Sequence, residues 1–325
     1  MRILVALGGN ALLPRGQRLS ASAQQVAVRV AARVLAAAAA GGHHLIITHG
    51  NGPQVGLLAL QSAAGPSDGA LPLDVLDAES EGWIGYAIEL ELRNAMGAGS
   101  ALATLLTQIR VDRADAAFGV PTKPVGPVYD EATARRLATA NGWSVAPDGA
   151  HWRRVVASPR PIEILELASI RLLVKAGVTV ICAGGGGIPV FVDADGRFTG
   201  AEAVIDKDAS SALLAEQIGV ELFVMLTDVE GVFLDYGKPN AQMIRDTSPD
   251  ALEAEAASFH AGSIGPKVAA ACAFSRATGC RATIGALADL HDLIGATAGT
   301  SIAMRTATTP SVVETPPKTA KDFAA

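Results

Sequence analysis

The chain has 325 residues, half of them apolar, with few aromatics and a formal net charge of −6. That length supports one large or two medium domains with full cores, and a slightly acidic balance without a basic run leaves no footprint for nucleic acid. Three widely spaced cysteines (Cys182, Cys272, Cys280), none in a CxxC pair, argue against a disulfide framework and for a reducing compartment. The first residues run straight into a strand-like stretch, with no charged segment followed by a longer apolar one, so no signal peptide is visible. The Ala-rich run 26–40 carries Arg29 and Arg33 and reads as an amphipathic helix rather than a membrane span. The expectation is a cytoplasmic protein with no membrane partner.

Apolar runs at 3–7, 45–48, 102–106, 178–183, 222–226 and 282–284 read as buried parallel strands. Helical patterns fall between them at 23–40, 74–96, 162–176, 208–218 and 267–277. This alternation predicts an α/β fold, a three-layer α/β/α sandwich with a mainly parallel central sheet. Its functional face should lie at the carboxyl ends of the strands. Residues 112–161 break the rhythm, are rich in Pro, Gly and Arg, and hold Trp143 and Trp152. A segment of that length is too long for a connection and is expected to form a small protruding lid subdomain. The Thr/Pro-rich tail, 307–325, reads as disordered.

Three predicted strands end in glycine: Gly8-Gly9-Asn10, Gly50-Asn51-Gly52-Pro53, and Gly184 to Gly187. Glycine lets backbone N–H groups approach an anion without a Cβ in the way, and a following helix adds its positive end. Together the three turns would make an oxyanion cradle. The stretch 49–56 imitates a dinucleotide fingerprint, but a Gly/Ser/Pro loop and a long helix stand where the next strand and its acidic residue should be. No phosphate-binding loop of the GxxxxGK[ST] type occurs either.

Seven lysines stand against nineteen arginines, and three sit in turn sequences: Lys123 in PTKPVGP, Lys207 in AVIDKDAS and Lys267 in GSIGPKVAAA. A compact ammonium on a flexible stem suits phosphate oxygens in transit better than a planar guanidinium does. Asp206-Lys207-Asp208 opens a predicted helix. It reads either as a simple cap or as a functional set, with Lys207 on the transferring phosphoryl group and Asp208 orienting the lysines. Lys267 lies in the first turn of another helix, where charge and dipole act on one anion; both lysines are expected near solvent. Thr227-Asp228-Val229, at the end of strand 222–226, would border a nucleotide's phosphates and ribose. No His/Cys cluster has metal-ligand spacing, and His49 reads as structural. The helix 74–96 carries Trp83, Ile84, Tyr86, Ile88 and Leu90 on more than one side, a surplus of apolar surface that fits a dimer interface.

LVALGGNALL, THGNGPQVGLLALQ, PLDVLDAESEGWIGY, PTKPVGPVY, RRVVASPRP, ICAGGGGIPV, AVIDKDASSALLAEQ, LTDVEGVF and GSIGPKV resemble the carbamate kinase family, a branch of the amino acid kinases, in matching order from residue 1 to about 304. Other amino acid kinases usually carry a lysine in the first glycine turn, where this chain has Asn10. The resemblance implies a homodimer that uses ATP and Mg²⁺, the metal held through the ATP phosphates. It implies reversible exchange of phosphate between ATP and carbamate, giving ADP and carbamoyl phosphate and often run toward ATP. Carried onto this chain, it makes Lys207, Lys267 and Lys123 catalytic, with Asp208 as their organiser. Gly8, Gly9, Asn10, Gly50, Asn51, Gly52, Gly185 and Gly186 would meet substrate and phosphate, and Thr227, Asp228, Val229 and Lys267 the nucleotide. Residues 1–202 would form the carbamate-binding and dimerisation lobe with its lid, and 203–306 the nucleotide lobe. Another acyl-phosphate-forming kinase, or a nucleotide sensor on the same fold, remains as an alternative.

Overall fold

Alternate residues of β1 (Arg2–Leu7) face opposite ways: Ile3, Val5 and Leu7 enter one apolar cluster, Leu4 and Ala6 another, all fully buried. That period of two, with both faces apolar, marks a strand sandwiched between helices. The computed structural model describes residues 1–12, 20–65, 71–255, 259, 264–304 and 311–313. From β1 the chain continues through α1 (Gly9–Leu12), α2 (Ala21–Ala40), β2 (His44–His49), α3 (Gly52–Ala63), α4 (Leu73–Met96) and β3 (Leu102–Thr104). The middle comprises β4 (Gln108–Arg110), β5 (Lys123–Tyr129), α5 (Glu131–Asn141), β6 (Ser144–Asp148), β7 (His151–Val156), β8 (Glu163–Ile164), α6 (Leu167–Lys175), β9 (Thr179–Ile181), β10 (Ile188–Val192) and β11 (Phe198–Gly200). The last third holds α7 (Lys207–Ile218), β12 (Leu222–Thr227), β13 (Val232–Leu234), β14 (Gln242–Thr247), α8 (Pro249–Ala254), α9 (Ile264–Thr278), β15 (Arg281–Ala286), α10 (Leu290–Ile294), β16 (Thr300–Ile302) and β17 (Ser311–Val313).

The central sheet has ten strands in the order β13-β14-β16-β15-β12-β1-β2-β9-β3, with β17 added beside β14. Its middle, from β15 to β3, is parallel throughout. Side chains of α2, α4 and α10 cover one face, those of α6, α7 and α9 the other, which is the expected three-layer sandwich. Within this one sheet β1, β2, β9 and β3 come from residues 1–202 and β12 to β16 from 203–306, the two groups joined along the β1–β12 ladder. Residues 112–161 build a separate antiparallel sheet, β5-β7-β6, flanked by α5. A four-stranded sheet, β11-β10-β4-β8, stands alongside. Among the described residues no helix is long and apolar enough to cross a membrane.

Three expectations change in detail. The helix read as 162–176 begins only at Leu167, because Ile162 and Leu165 donate their N–H groups to Arg110 and Gln108 and draw 163–164 into β8. Strand 178–183 stops at Ile181, since Ala183 turns to φ +49 ahead of the glycines. In the tail, Ser311–Val313 pairs antiparallel with β14 rather than lacking structure; the rest of 307–325 lies outside the described residues.

Phe223 of β12 is fully buried and meets Phe274 of α9 edge-on, centroids 5.4 Å apart. Phe223→Ala is expected to cost about 3–5 kcal/mol, seen as a lower denaturant midpoint at constant slope. A cost below about 1 kcal/mol would mean that this layer collapses freely around the gap.

Candidate active site

The glycine turns follow β1, β2 and β9, three neighbouring strands, so they meet at one edge of the sheet. Gly8 N–H donates to Leu226 O and Gly50 N–H to Leu7 O, both at 3.1 Å, extending the ladders one step past the strands. Packing explains several of these glycines. A Cβ on Gly8 would lie 2.7 Å from Leu226 O, and one on Gly186 (φ +108) 2.4 Å from Ile205 O. On Gly185 (φ +69) it would sit 2.1 Å from Asn51 Nδ2. Gly9 and Gly52 are different: a Cβ there would meet nothing within 4 Å. Close packing does not demand glycine at those two positions, which open onto free space at the helix starts. The backbone of Asn10 is in α1; its side chain lies outside what is described.

Across this edge, the start of α7 gathers all three turn lysines. Asp206 caps the helix, its Oδ1 accepting from Asp208 N at 2.9 Å and Ala209 N at 3.1 Å. Its Oδ2 accepts from Lys123 Nζ, which reaches down from β5 of the lid, at 3.0 Å. Asp208 takes Lys207 Nζ on Oδ1 at 2.5 Å and Lys267 Nζ, from the first turn of α9, on Oδ2 at 3.1 Å. Lys207 and Lys267, expected near solvent, are instead largely enclosed, their side chains 10% and 12% exposed. Burying an ammonium is costly unless it is paired, and Asp208 supplies the pairing for both. Burial alone would raise the Asp208 carboxyl, but Lys207 and then Lys267 outweigh it and hold it well below the usual carboxylate range. Burial also lowers Lys207 from its ordinary value, against the pull of Asp208. Thr227, at the carboxyl end of β12, lies beside Gly8. Its hydroxyl donates to the exposed Asp228 at 3.1 Å, and Val229 follows, half-buried.

Beneath the cradle lies a set that the sequence reading passed over. Asp77, Ser80 and Glu81 of α4 are all buried. Asn51 Nδ2 donates to Asp77 Oδ1 at 3.0 Å and to Ser80 Oγ at 2.8 Å. Glu81 accepts from Gly184 N–H (2.8 Å) and Thr107 N–H (3.1 Å), while Thr107 Oγ1 accepts from Ala183 N–H (2.9 Å). One carboxyl group thus clamps the Gly184 turn to the loop entering β4. The signal was available: polar residues at i, i+3 and i+4 stand on the stripe that carries Leu73, Leu76, Ile84 and Ile88. Asp206 was visible as a cap, but its hold on the lid was not. His49 is neutral, pushed down to about 4 chiefly by burial, and its Nδ1 donates to Gly50 O at 3.2 Å while the ring packs against Gly184. These contacts fit the structural reading of His49, although its Nε2 is buried without a hydrogen-bond partner among the described residues. Among the described residues no group of three or more His, Cys, Asp or Glu is arranged to hold a metal ion.

Burial pushes the Glu81 carboxyl from 4.5 up to about 8, against the two backbone N–H groups that favour its charge. A folded value above the unfolded one means that this group's stabilisation is complete below about pH 4.5 and lost as pH rises through about 8. Glu81→Gln, which cannot ionise, is expected to flatten the fall in urea midpoint over that window. It should also lower kcat, because its amide would turn an N–H toward an N–H donor. An unchanged slope would assign the pH dependence to other groups.

Residues 1–286 match the amino acid kinase family. The carbamate kinase of Haemophilus influenzae is 50% identical over 306 residues, 94% of this chain and 98% of that protein. That of Rhizobium meliloti is 51% identical over 304 residues, 93% of each. Among solved structures, the carbamate kinase of Giardia lamblia bound to AMP-PNP superposes with a TM-score of 0.84 at 37% identity, covering 93% of this chain and 98% of that one. With citric acid bound, the Giardia enzyme gives a TM-score of 0.87 at 38% identity over the same shares. Full-length identity at this level, on the same fold, places the chain in the carbamate kinase branch of the amino acid kinase family.

Proposed function

We propose that this kinase transfers phosphate reversibly between ATP and carbamate, giving ADP and carbamoyl phosphate, and works in the direction of ATP synthesis. The observation that carries the reading is the gathering of Lys123, Lys207 and Lys267 on two carboxylates at the edge that holds the glycine turns. Carbamate is already an anion at neutral pH, so its oxygen needs no general base. The obstacle is bringing it against a polyanionic phosphate, and catalysis reduces to positioning and charge neutralisation. Lys207 and Lys267, held by Asp208, face the transferring phosphoryl group; in the turns at Gly8–Asn10, Gly50–Gly52 and Gly185–Gly186, where the N–H groups of Gly8, Gly50 and Gly186 are already donated within the protein, the neighbouring N–H groups take its oxygens and those of the acyl substrate. Lys123 comes to the acyl group from the lid, closing a site around a substrate too small to supply much binding energy of its own.

The nucleotide is assigned to the 203–306 half, along Thr227, Asp228 and Val229, and the acyl substrate to the 1–202 half. A relative solved with AMP-PNP supports a nucleotide site of this kind. The two carboxylates at the centre of the edge, Asp206 and Asp208, are engaged by the three lysines and the start of α7, which fits Mg²⁺ arriving on the ATP phosphates. When bound there it supplies further neutralisation of the phosphate oxygens. A cytoplasmic location suits the three free cysteines. The homodimer is assigned to the outer side of α4, where Tyr86 (64% exposed) and Leu90 stand beside Leu106 over a hollow of about 400 Å³.

Purified protein should form ATP from ADP and carbamoyl phosphate; turnover of acetylglutamate, glutamate or UMP instead would reassign the substrate, and no turnover would favour a sensor. Lys207→Ala and Lys267→Ala are expected to lose on the order of 10²–10⁴ in kcat. Because Lys207 is buried, circular dichroism must establish that its variant is folded. Near-normal kcat in a folded variant would remove that lysine from the phosphoryl site.

Sedimentation at micromolar concentration should give a dimer, and Tyr86→Asp combined with Leu90→Asp a monomer. A wild-type monomer would refute the assigned interface.

A further inference from the structure

We infer that a backbone contact between Gly56 of α3 and Gly126 of the lid strand β5 sets the depth at which Lys123 enters the site, making Gly56 a positioning residue for the acyl substrate. The inference rests on the reading of Lys123 as the lid's contact to carbamoyl phosphate. Gly56 is buried one turn beyond Gly52, on the helix that grows out of the cradle. A Cβ added to it would lie 1.9 Å from Gly126 Cα and 2.3 Å from Gly126 N. Carbon atoms rest at about 3.5–4.0 Å, so no side chain of any kind fits between helix and lid.

The contact is asymmetric. A Cβ on Gly126 would be 3.4 Å from Gly56 Cα, an ordinary distance, and glycine is favoured there by φ +75 instead. Gly56 is therefore glycine for space and Gly126 for backbone conformation. At this point β5 leaves its ladder: Lys123, Pro124 and Val125 pair in register with Val156, Val155 and Arg154, and pairing resumes only at Tyr129 with Trp152. The Gly126 carbonyl is held by Arg153 Nη2 at 2.7 Å. Val125, next to it, is buried with Val55 and Ala59 of α3, Leu76 of α4 and Val204. Val204 in turn lies two residues before Asp206. The lid base, α3 and the lead-in to α7 therefore share one small core.

Lys123 lies three residues from Gly126, about 10 Å along the strand, with Pro121 and Pro124 on either side to stiffen the run. A strand this stiff transmits displacement. Relieving an overlap at 1.9 Å requires Gly126 to retreat by roughly 1.5–2 Å. A comparable retreat takes Lys123 Nζ out of hydrogen-bond reach of Asp206, which it now meets at 3.0 Å. Misplacement of about 1 Å at a positioning group can cost on the order of 100-fold.

The test is a double-mutant cycle on ATP formation from ADP and carbamoyl phosphate, using wild type, Gly56→Ala, Lys123→Ala and the pair. Gly56→Ala is expected to lower kcat/KM for carbamoyl phosphate by roughly 10–100-fold, with the KM for ADP within about two-fold. The double variant should be no worse than Lys123→Ala alone, since both remove one contact. Multiplicative losses would overturn the inference, as would equal losses toward ADP. If Lys123→Ala itself has no effect, the reading of Lys123 is wrong and the inference falls with it. Should Gly56→Ala fail to fold, Arg153→Ala loosens the Gly126 peptide without touching α3. It is expected to give the same selective loss at smaller size, and wild-type kinetics in that variant would overturn the proposal.

Discussion

Asp208 holds two ammonium groups, one on each oxygen, in a place where neither it nor they would be stable alone. Removing a charge from water costs several kcal/mol even after relaxation, and Lys207 and Lys267 would repel one another without the anion between them. The arrangement is therefore all or nothing. Its two lysines come from different helices, α7 and α9, so the carboxylate also fixes how those helices meet, and through them the face of the sheet that they cover. A pair of cations held this way suits a polyanion: the enclosure that makes the lysines expensive would also strengthen their effect on a phosphoryl group in the proposed reaction.

The opposite wall is built on the same logic with neutral groups. At the ends of β1 and β2 the first amides, Gly8 and Gly50, donate to Leu226 O and Leu7 O, and it is the amides after them that can face a ligand. The buried polar residues of α4 hold two of the turns in place. Glu81 consumes the N–H groups of Gly184 and Thr107, and Asp77 with Ser80 consumes the Asn51 amide. Those partners tie down the Asn51 and Gly184 turns, and the space in front of Gly9 and Gly52 is open. The long helix thus serves twice, with one face in the core supporting the cradle and an exposed face carrying Tyr86 and Leu90.

The lid belongs to neither half of the sheet, yet it touches both walls. Val125 packs on α3 and α4, and Lys123 ends on the cap residue of α7. Asp206 consequently does two jobs with its two oxygens, closing the helix start with one and receiving the lid with the other. A charge that arrives on a stiff, proline-flanked strand is placed by rigid-body geometry rather than by the rotamers of a loop.

Most of the sheet was legible in the chain itself. The six apolar runs of the sequence reading all form parallel strands of the central sheet, because a strand covered by helices on both faces must be apolar at every position. The glycine turns, the three lysines and Asp208 were legible too, since each depends on local chemistry: a strand end, a helix start, a charge type. The strands β13, β14 and β16 were not. β13 and β16 are only three residues long, β14 carries polar residues such as Arg245 and Asp246, and the pairing of β16 with β14 and β15 joins segments distant in sequence. The helix read from 162 was lost in its first turn for the same reason, to a ladder with β4. What only the tertiary structure decided was how the local pieces are joined: that Lys123 ends on Asp206, 83 residues away, that Glu81 reaches Gly184, 103 away, and that Gly56 meets Gly126. The sequence by itself determined which groups would carry charge and where the backbone could turn, because those are properties of single residues and their immediate neighbours. Which of them pair was decided by packing, where burial makes an unpartnered charge too costly to leave alone.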